Sequence, residues 1–113
     1  MLVSASSQPR QRSLPLVSVI MPTRDRRTLV AQAIDSVIAQ EHGAWEIIVV
    51  NDGGASVADV VAERDAGGRI QLVELPLARG AGAARNIGLS LARGRYVTYL
   101  DDDDWYDPDH LAR

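Results

Sequence analysis

The sequence contains no cysteine, so it offers neither a disulfide framework nor a thiolate site for a metal ion. It also lacks a long apolar run, since no stretch approaches the roughly 20 apolar residues that a membrane-spanning helix needs. Residues 1–15, MLVSASSQPRQRSLP, lack the charged start and sustained apolar segment of a secretory signal, and we expect them to form a flexible leader. These absences favour a cytoplasmic protein.

The composition is typical of a soluble globular protein. Of the 113 residues, 46% are hydrophobic and 24% are charged, which excludes a largely disordered chain. The length fits one domain with a modest core, which we place at residues 16–113. The net charge of −3 is unevenly distributed, because residues 1–100 carry 11 arginines and 9 acidic residues, whereas residues 101–113 carry six aspartates and one arginine. The acidity is therefore local.

Short apolar runs alternate with amphipathic stretches along the chain. The runs predict strands at residues 16–22, 47–50, 70–76 and 96–100; we expect the first to be covered on both faces and the last to be buried. Apolar residues at helical spacing predict helices over 28–38, 57–65 and 84–92. The order βαβαβαβ predicts an α/β fold with a Rossmann-like parallel sheet, joined by right-handed crossovers.

Polar loops are predicted at one edge of this sheet, with the sequences PTRDR, NDGG, LARGAG and DDDDWYD. The carboxyl ends of parallel strands meet at a single edge, and ligands of open α/β sheets bind there. We therefore expect the loops that follow the first, second and fourth strands to form a binding site.

The last of these loops begins with four consecutive carboxylates, Asp101 to Asp104. Adjacent carboxylates repel one another unless water or a cation neutralises them. Carboxylate oxygens suit Mg²⁺ or Mn²⁺, and Asp101 and Asp103 would both face one ion if the backbone stays extended. A solvated acidic loop is the alternative. The preceding apolar strand, which directs the cluster to the ligand edge, and the aromatic pair that follows it favour the metal site.

Several motifs occur together in the order typical of one family: VSVIMPTRDR, SVIAQ, WEIIVVNDGG, GAGAARNIGLSLARGRYVTYLDDDD and WYDPDHL. Over about residues 16–113 they resemble the nucleotide-sugar-dependent glycosyltransferases of family 2, which have the GT-A fold. The resemblance implies the N-terminal, donor-binding half of that fold, truncated in a helix that would start at Pro108. It also implies transfer of a sugar from a nucleoside-diphosphate sugar, for which we expect UDP first.

The resemblance implies roles for residues after the first two strands. Pro22, Thr23 and Arg24 match the loop that lies along the nucleotide. Arg24 stands where these enzymes often carry an aromatic residue that stacks on the base; a guanidinium plane also stacks, so the base is left open. Asp52 matches the acid that accepts a hydrogen bond from the base, although as the Asp of NDGG it could equally form a turn.

Further roles fall on later residues. Arg79 or Arg85, beside GAG at a helix start, matches the region near the diphosphate, with ordinary surface arginines as the alternative. Asp101 to Asp103 match the family's DXD-type signature. Asp103 is the expected direct ligand of Mg²⁺ or Mn²⁺, while Asp101 or Asp102 would reach the ion or the ribose.

The expected partners are a nucleoside-diphosphate sugar and an acceptor of unknown type, whether glycan, lipid or protein; no nucleic acid is expected. In the family the general base comes from later sequence, so we expect it beyond Arg113. The same missing regions would carry any peripheral association with the inner face of the membrane. Cell-envelope polysaccharide synthesis is the expected setting.

Two other interpretations compete with a glycosyltransferase. GAGAAR, between a strand and a helix with acids about 20 residues later, imitates the dinucleotide fingerprint G-x-G-x-x-G. Its last glycine is replaced by Arg85, and four acids exceed the single carboxylate that a ribose needs, so we disfavour this interpretation. The second alternative is a non-catalytic nucleotide-binding module or an inactive fragment.

Overall fold

The computed structural model describes residues 15, 17–40, 43–65 and 67–100. Strands and helices alternate strictly through these residues, as the sequence predicts. The strands are β1 (Val17–Thr23), β2 (Trp45–Asn51), β3 (Ile70–Glu74) and β4 (Tyr96–Tyr99). The helices are α1 (Arg27–Ile38), α2 (Ala58–Arg64) and α3 (Ala81–Leu91). The predicted α/β fold class and element order are confirmed, with bounds that differ by a few residues.

The four described strands form one parallel sheet in the order β3-β2-β1-β4. In its register Thr23 pairs with Asn51, and Asn51 pairs with Glu74. The last residues of β1, β2 and β3 therefore lie side by side, and the loops that follow them start from one line across the sheet.

Helices cover both faces of the central strands, which explains why every residue of β1 and β2 is buried. Successive side chains of a strand point to opposite faces. On one face Val19 and Val49 pack with residues of α1 and α2. On the other face Ile48 and Val50 pack with Ala84 of α3. The two-sided burial predicted for the first strand is confirmed.

The fourth strand is not buried as expected. Its residues Tyr96, Val97 and Tyr99 are 59%, 37% and 46% exposed, respectively. Within the described residues β4 has one hydrogen-bonded neighbour, β1, and α3 packs on β1 and β2 rather than over β4. Apolar residues alone do not distinguish an edge strand from an inner one, so the burial prediction was wrong. Leu100, just beyond β4, is 3% exposed and joins the main core.

A buried carboxylate fixes the amino edge of the sheet, opposite the predicted binding loops. Glu46 is 4% exposed and accepts hydrogen bonds from the Ser18 hydroxyl (2.6 Å) and the Arg93 backbone N–H (2.7 Å). The Arg93 guanidinium forms an ion pair with it (3.2 Å), and the Gly94 N–H donates to the Ser18 hydroxyl (2.8 Å). This network holds the α3–β4 turn against β1 and β2, and so orients β4.

Candidate functional site

The loops after β1 and β2 start side by side at the carboxyl edge. β1 ends with Pro22 and Thr23, which are both buried. Arg24, the first residue of the following loop, is exposed to solvent. The Asp52 backbone N–H donates to the Thr23 carbonyl (2.8 Å). The structure therefore brings the first two predicted segments of the site into direct contact.

Asp52 connects this pair of loops to a third one. Its carboxylate is buried, since the residue is 7% exposed. Oδ1 accepts the backbone N–H of Arg79 (2.7 Å), and Oδ2 accepts the backbone N–H of Gly80 (2.9 Å). The role of a simple turn former, which the sequence left open, does not describe these contacts, because the two partners are 27 and 28 residues away in the sequence. Asp52 and Arg79 are neighbours in space.

Arg79 and Arg85 flank the start of α3. Arg79 lies in the exposed segment before the helix, and Arg85 is half-buried in the second helical turn. The first backbone N–H groups of a helix lack intrahelical acceptors and carry a partial positive charge. A cation and such N–H groups together favour an anion. Both arginines thus lie near the start of α3, and their role toward a diphosphate stays a prediction.

Asn51 organises the loop after β2, a role that sequence reasoning missed. Its side chain is 1% exposed, and Nδ2 donates to the carbonyl of Ala55 (2.9 Å) and to Oε2 of Glu74 (3.0 Å). Oδ1 accepts the N–H of Gly54 (3.2 Å). The sequence analysis includes Asn51 only as the first residue of the polar loop NDGG. The signal for its role is its position at the end of an apolar strand, where a buried amide needs hydrogen-bond partners.

Glu74 completes the same network from the end of β3. Its carboxylate accepts the Val57 backbone N–H (2.8 Å) and the Ser56 hydroxyl (2.9 Å), just before α2. The hydrogen bond from the Asn51 side chain lowers the pKa of Glu74, and those from Val57 and Ser56 act in the same direction against the raising effect of burial. Glu74 therefore stays ionised and caps α2 from outside the helix.

Asp25 ties the first loop to the second. It adopts a left-handed backbone conformation with φ of 54°, and its Oδ1 accepts the Ala55 N–H (2.9 Å). A Cβ on Gly54 would lie 2.7 Å from the Asp25 backbone nitrogen, so only glycine allows this approach. The described loops after β1, β2 and β3 are thus joined to one another by hydrogen bonds.

Three carboxylates at this edge are engaged in hydrogen bonds, and two arginines beside them are exposed. The carboxylates of Asp25, Asp52 and Glu74 each accept backbone or amide hydrogen bonds. Arg24 and Arg79 are exposed, and within the described ranges their guanidinium groups have no hydrogen-bond or ion-pair partner. Two uncommitted cations therefore lie on loops that are joined through Thr23 and Asp52.

The predicted metal ligands Asp101 and Asp103, and Asp102 between them, lie outside the described residues. β4 runs parallel to β1, and just beyond it the Leu100 N–H still donates to the Ile20 carbonyl (3.0 Å). Among residues that are described, no group of three or more His, Asp or Glu side chains could hold a metal ion. The metal site stays a prediction from the sequence.

Comparison with known proteins decides the family. The profile of glycosyl transferase family 2 matches residues 18–113. The chain belongs to this family. A putative colanic acid biosynthesis glycosyl transferase, WcaA of Escherichia coli K12, is 39% identical over 102 residues, which cover 87% of this chain and 36% of that protein. The chain thus spans well under half of the length of the curated relatives it matches.

Solved glycosyltransferases share the fold. The family 2 chain superposes on Staphylococcus aureus TarS 1–349 in complex with UDP with a TM-score of 0.76 at 25% identity, covering 85% of this chain and 30% of TarS. It superposes on the mannosyltransferase PcManGT of Pyrobaculum calidifontis, in complex with GDP-Man and Mn²⁺, with a TM-score of 0.74 at 28% identity; the match covers 81% and 28% of the two chains. The predicted GT-A fold is confirmed.

Family membership also decides between the interpretations of GAGAAR. The motif does start a helix, α3, but it lies in a glycosyl transferase family 2 chain rather than in a dinucleotide-binding unit. Separately, none of the helices in the described part of the chain is long and apolar enough to cross a membrane.

Proposed function

We propose that this chain forms the donor-binding half of a glycosyltransferase that transfers a sugar from a nucleoside-diphosphate sugar, with UDP as the expected carrier. The observation that carries the proposal is the junction of three loops around Asp52, which joins Thr23, Arg79 and the start of α3 at one sheet edge. The solved relative TarS binds UDP, and the described arginines at this edge suit a diphosphate.

The nucleotide would lie across the carboxyl ends of β1 and β2. Pro22 and Thr23 would support it, and Arg24 would stack its guanidinium plane on the base. Asp52 would accept a hydrogen bond from a base N–H, since each of its oxygens can accept more than the one bond it has. This arrangement makes Asp52 the contact that would distinguish bases.

The diphosphate would lie at the start of α3. Arg79 or Arg85 would pair with its oxygens, and the first N–H groups of α3 would add a partial positive charge. Asp101 and Asp103 offer hard carboxylate oxygens of the type that Mg²⁺ and Mn²⁺ prefer, and Asp102 would contact the ribose. When bound, the metal ion would neutralise charge on the departing diphosphate. The similar structure of PcManGT contains Mn²⁺.

The acceptor and the setting of the reaction are proposed from the relatives, of which this chain covers 30% to 40% of the length. We expect a glycan, lipid or protein acceptor and a role in cell-envelope polysaccharide synthesis, as for WcaA, whose name assigns it to colanic acid biosynthesis. A cytoplasmic position, with peripheral association at the inner face of the membrane, would suit such an enzyme. A non-catalytic nucleotide-binding module is the second candidate, and release of UDP from a UDP-sugar during transfer to an acceptor would exclude it.

Calorimetric titration with UDP tests the donor site. We expect wild-type protein to bind UDP at least tenfold more tightly with Mn²⁺ than without, which corresponds to about 1.4 kcal/mol. Asp103→Ala should lose this difference, because a direct metal ligand is removed. Asp59→Ala, which removes an exposed carboxylate paired with Arg27 on the α2 side of the fold, is the control and should bind like wild type. Equal UDP affinity under all these conditions would contradict the proposal.

A further inference from the structure

The segment before α3, residues 77–80, is held mainly from the loop after β2; we call it the entry segment. Asp52 accepts its last two backbone N–H groups, those of Arg79 (2.7 Å) and Gly80 (2.9 Å). Hydrogen bonds to a carboxylate are about twice as strong as those between neutral groups. Leu77, at the other end of the segment, is 77% exposed and so adds little packing.

A second observation shows how closely the two loops approach. Gly53 has φ of 83°, and a Cβ placed on it would lie 2.4 Å from the Ala78 nitrogen and 2.9 Å from the Ala78 Cα. Cβ atoms do not make non-bonded contacts this short, so any side chain at position 53 would push the entry segment away. Asp52 thus holds the entry segment by two hydrogen bonds, and Gly53, which has no side chain, allows the segment to lie close to the loop.

We infer that Asp52 is a positioning residue that sets the place of Arg79 for the donor diphosphate, in addition to any contact with the base. The inference rests on the proposed function. The Arg79 guanidinium has no partner in the described part of the chain, so the position of its backbone sets the region that the charge can reach. A backbone that is already in place spares the free energy of ordering the entry segment when an anion binds.

This role predicts that Asp52 affects ligands that have no base. Asp52→Asn replaces one acceptor oxygen by an NH₂ donor that faces a backbone N–H, so one hydrogen bond is lost and two donors oppose each other. Gly53→Ala leaves the carboxylate intact but displaces the entry segment from the other side. If Asp52 acts through Arg79, both variants should show a looser entry segment and weaker binding of a ligand that has no base.

Two measurements test the inference. The first is hydrogen exchange of the Arg79 and Gly80 amides without ligand, which we expect to rise at least tenfold in both variants. The second is calorimetric titration with pyrophosphate and Mn²⁺, a probe that lacks the base. We expect both variants to bind it about tenfold more weakly than wild type, because each must reorder the entry segment on binding, at a cost similar to that of one hydrogen bond to a charged group.

The amino edge of the sheet provides matched controls. Asp65 Oδ1 accepts two consecutive backbone N–H groups, from Arg69 (2.8 Å) and Ile70 (3.0 Å), and so resembles Asp52. Gly67 has φ of 88°, like Gly53, but a Cβ there would meet nothing within 4 Å. Asp65→Asn and Gly67→Ala should leave pyrophosphate affinity and exchange at Arg79 and Gly80 unchanged.

A double-mutant cycle separates positioning from direct contact. In an Arg79→Ala background, Asp52→Asn should cause no further loss of pyrophosphate affinity. Additive losses, or Asp52→Asn protein with wild-type exchange and wild-type pyrophosphate affinity, would overturn the inference. If wild-type protein binds neither UDP nor pyrophosphate, the proposed function fails. The exchange measurement is independent of ligand: faster exchange at Arg79 and Gly80 in Asp52→Asn would still show that Asp52 holds the entry segment, and unchanged exchange would show that it does not.

Discussion

At the scale of single residues, the carboxyl edge depends on carboxylates that bind the backbone of another loop. Asp25 accepts an N–H from Ala55, Asp52 accepts from Arg79 and Gly80, and Glu74 accepts from Val57. Each bond joins segments that are 17 to 30 residues apart in the sequence. The polar loops could be located from the sequence, because they follow apolar strands. Their partners could not, because pairing depends on the order of strands in the sheet.

Replacement of Glu74 tests this network through its pH dependence. Because the pKa of Glu74 is lowered in the folded protein, its stabilising effect is complete above the ordinary carboxyl pKa of about 4.3 and is lost as the pH falls through the folded value. We expect Glu74→Gln to lower the free energy of unfolding by about 1 kcal/mol at pH 7, a modest value for an exposed group. Urea unfolding should show this loss shrinking below about pH 4.

Glu63→Gln is the control for this prediction. Glu63 is exposed and pairs with the neighbouring Arg64 (3.4 Å), a type of surface ion pair that contributes little to stability. It should change the unfolding free energy by less than about 0.5 kcal/mol. A Glu74→Gln effect of the same size at every pH would show that the charge of Glu74 does not matter.

At the scale of elements, periodicity predicted the alternation of strands and helices but not every environment. The continuous apolar run of β1 predicted a strand covered on two faces, and β1 is buried throughout, as is β2. The run in β4 looks similar, yet three of its four residues are exposed at the edge of the described sheet. Burial of a strand depends on which neighbours it has, and that is a property of the whole sheet.

The contact between α3 and β1 gives a prediction at this scale. A Cβ on Gly88 would lie 2.4 Å from Cγ2 of the fully buried Ile20, so α3 packs with its backbone close to the sheet. We expect Gly88→Ala to lower the free energy of unfolding by about 1–3 kcal/mol, because α3 must shift outward. Thermal or urea unfolding measures the loss.

Gly82 offers a matched control on the same helix, since a Cβ there would meet nothing within 4 Å. Gly82→Ala should be neutral or stabilise by up to about 1 kcal/mol, because alanine favours helix more than glycine does. Equal stability of the two variants would mean that α3 does not rest on Ile20 as described. Ile20→Ala combined with Gly88→Ala should lose less than the sum of the single changes.

At the scale of the whole molecule, the two edges of the sheet have different tasks. The amino edge contains Glu46, whose buried carboxylate is neutralised by Arg93 and holds β4 in place. The carboxyl edge contains exposed cations, Arg24 and Arg79, on loops that are already joined. One edge is thus built around a buried ion pair, while the other exposes two cations beside a network of engaged carboxylates. This division follows from a parallel sheet, in which the strand ends of each type meet on one side.

Paramagnetic broadening by Mn²⁺ in the presence of UDP tests most directly whether the carboxyl edge is the donor site. Mn²⁺ held there with the diphosphate should broaden the amide resonances of Thr23, Asp52 and Gly80 and leave those of Glu46 and Gly94, at the amino edge, sharp. Mg²⁺ with UDP should shift the first set without broadening it. Broadening at the amino edge, or equal weak broadening throughout the protein, would contradict a donor site at these loops.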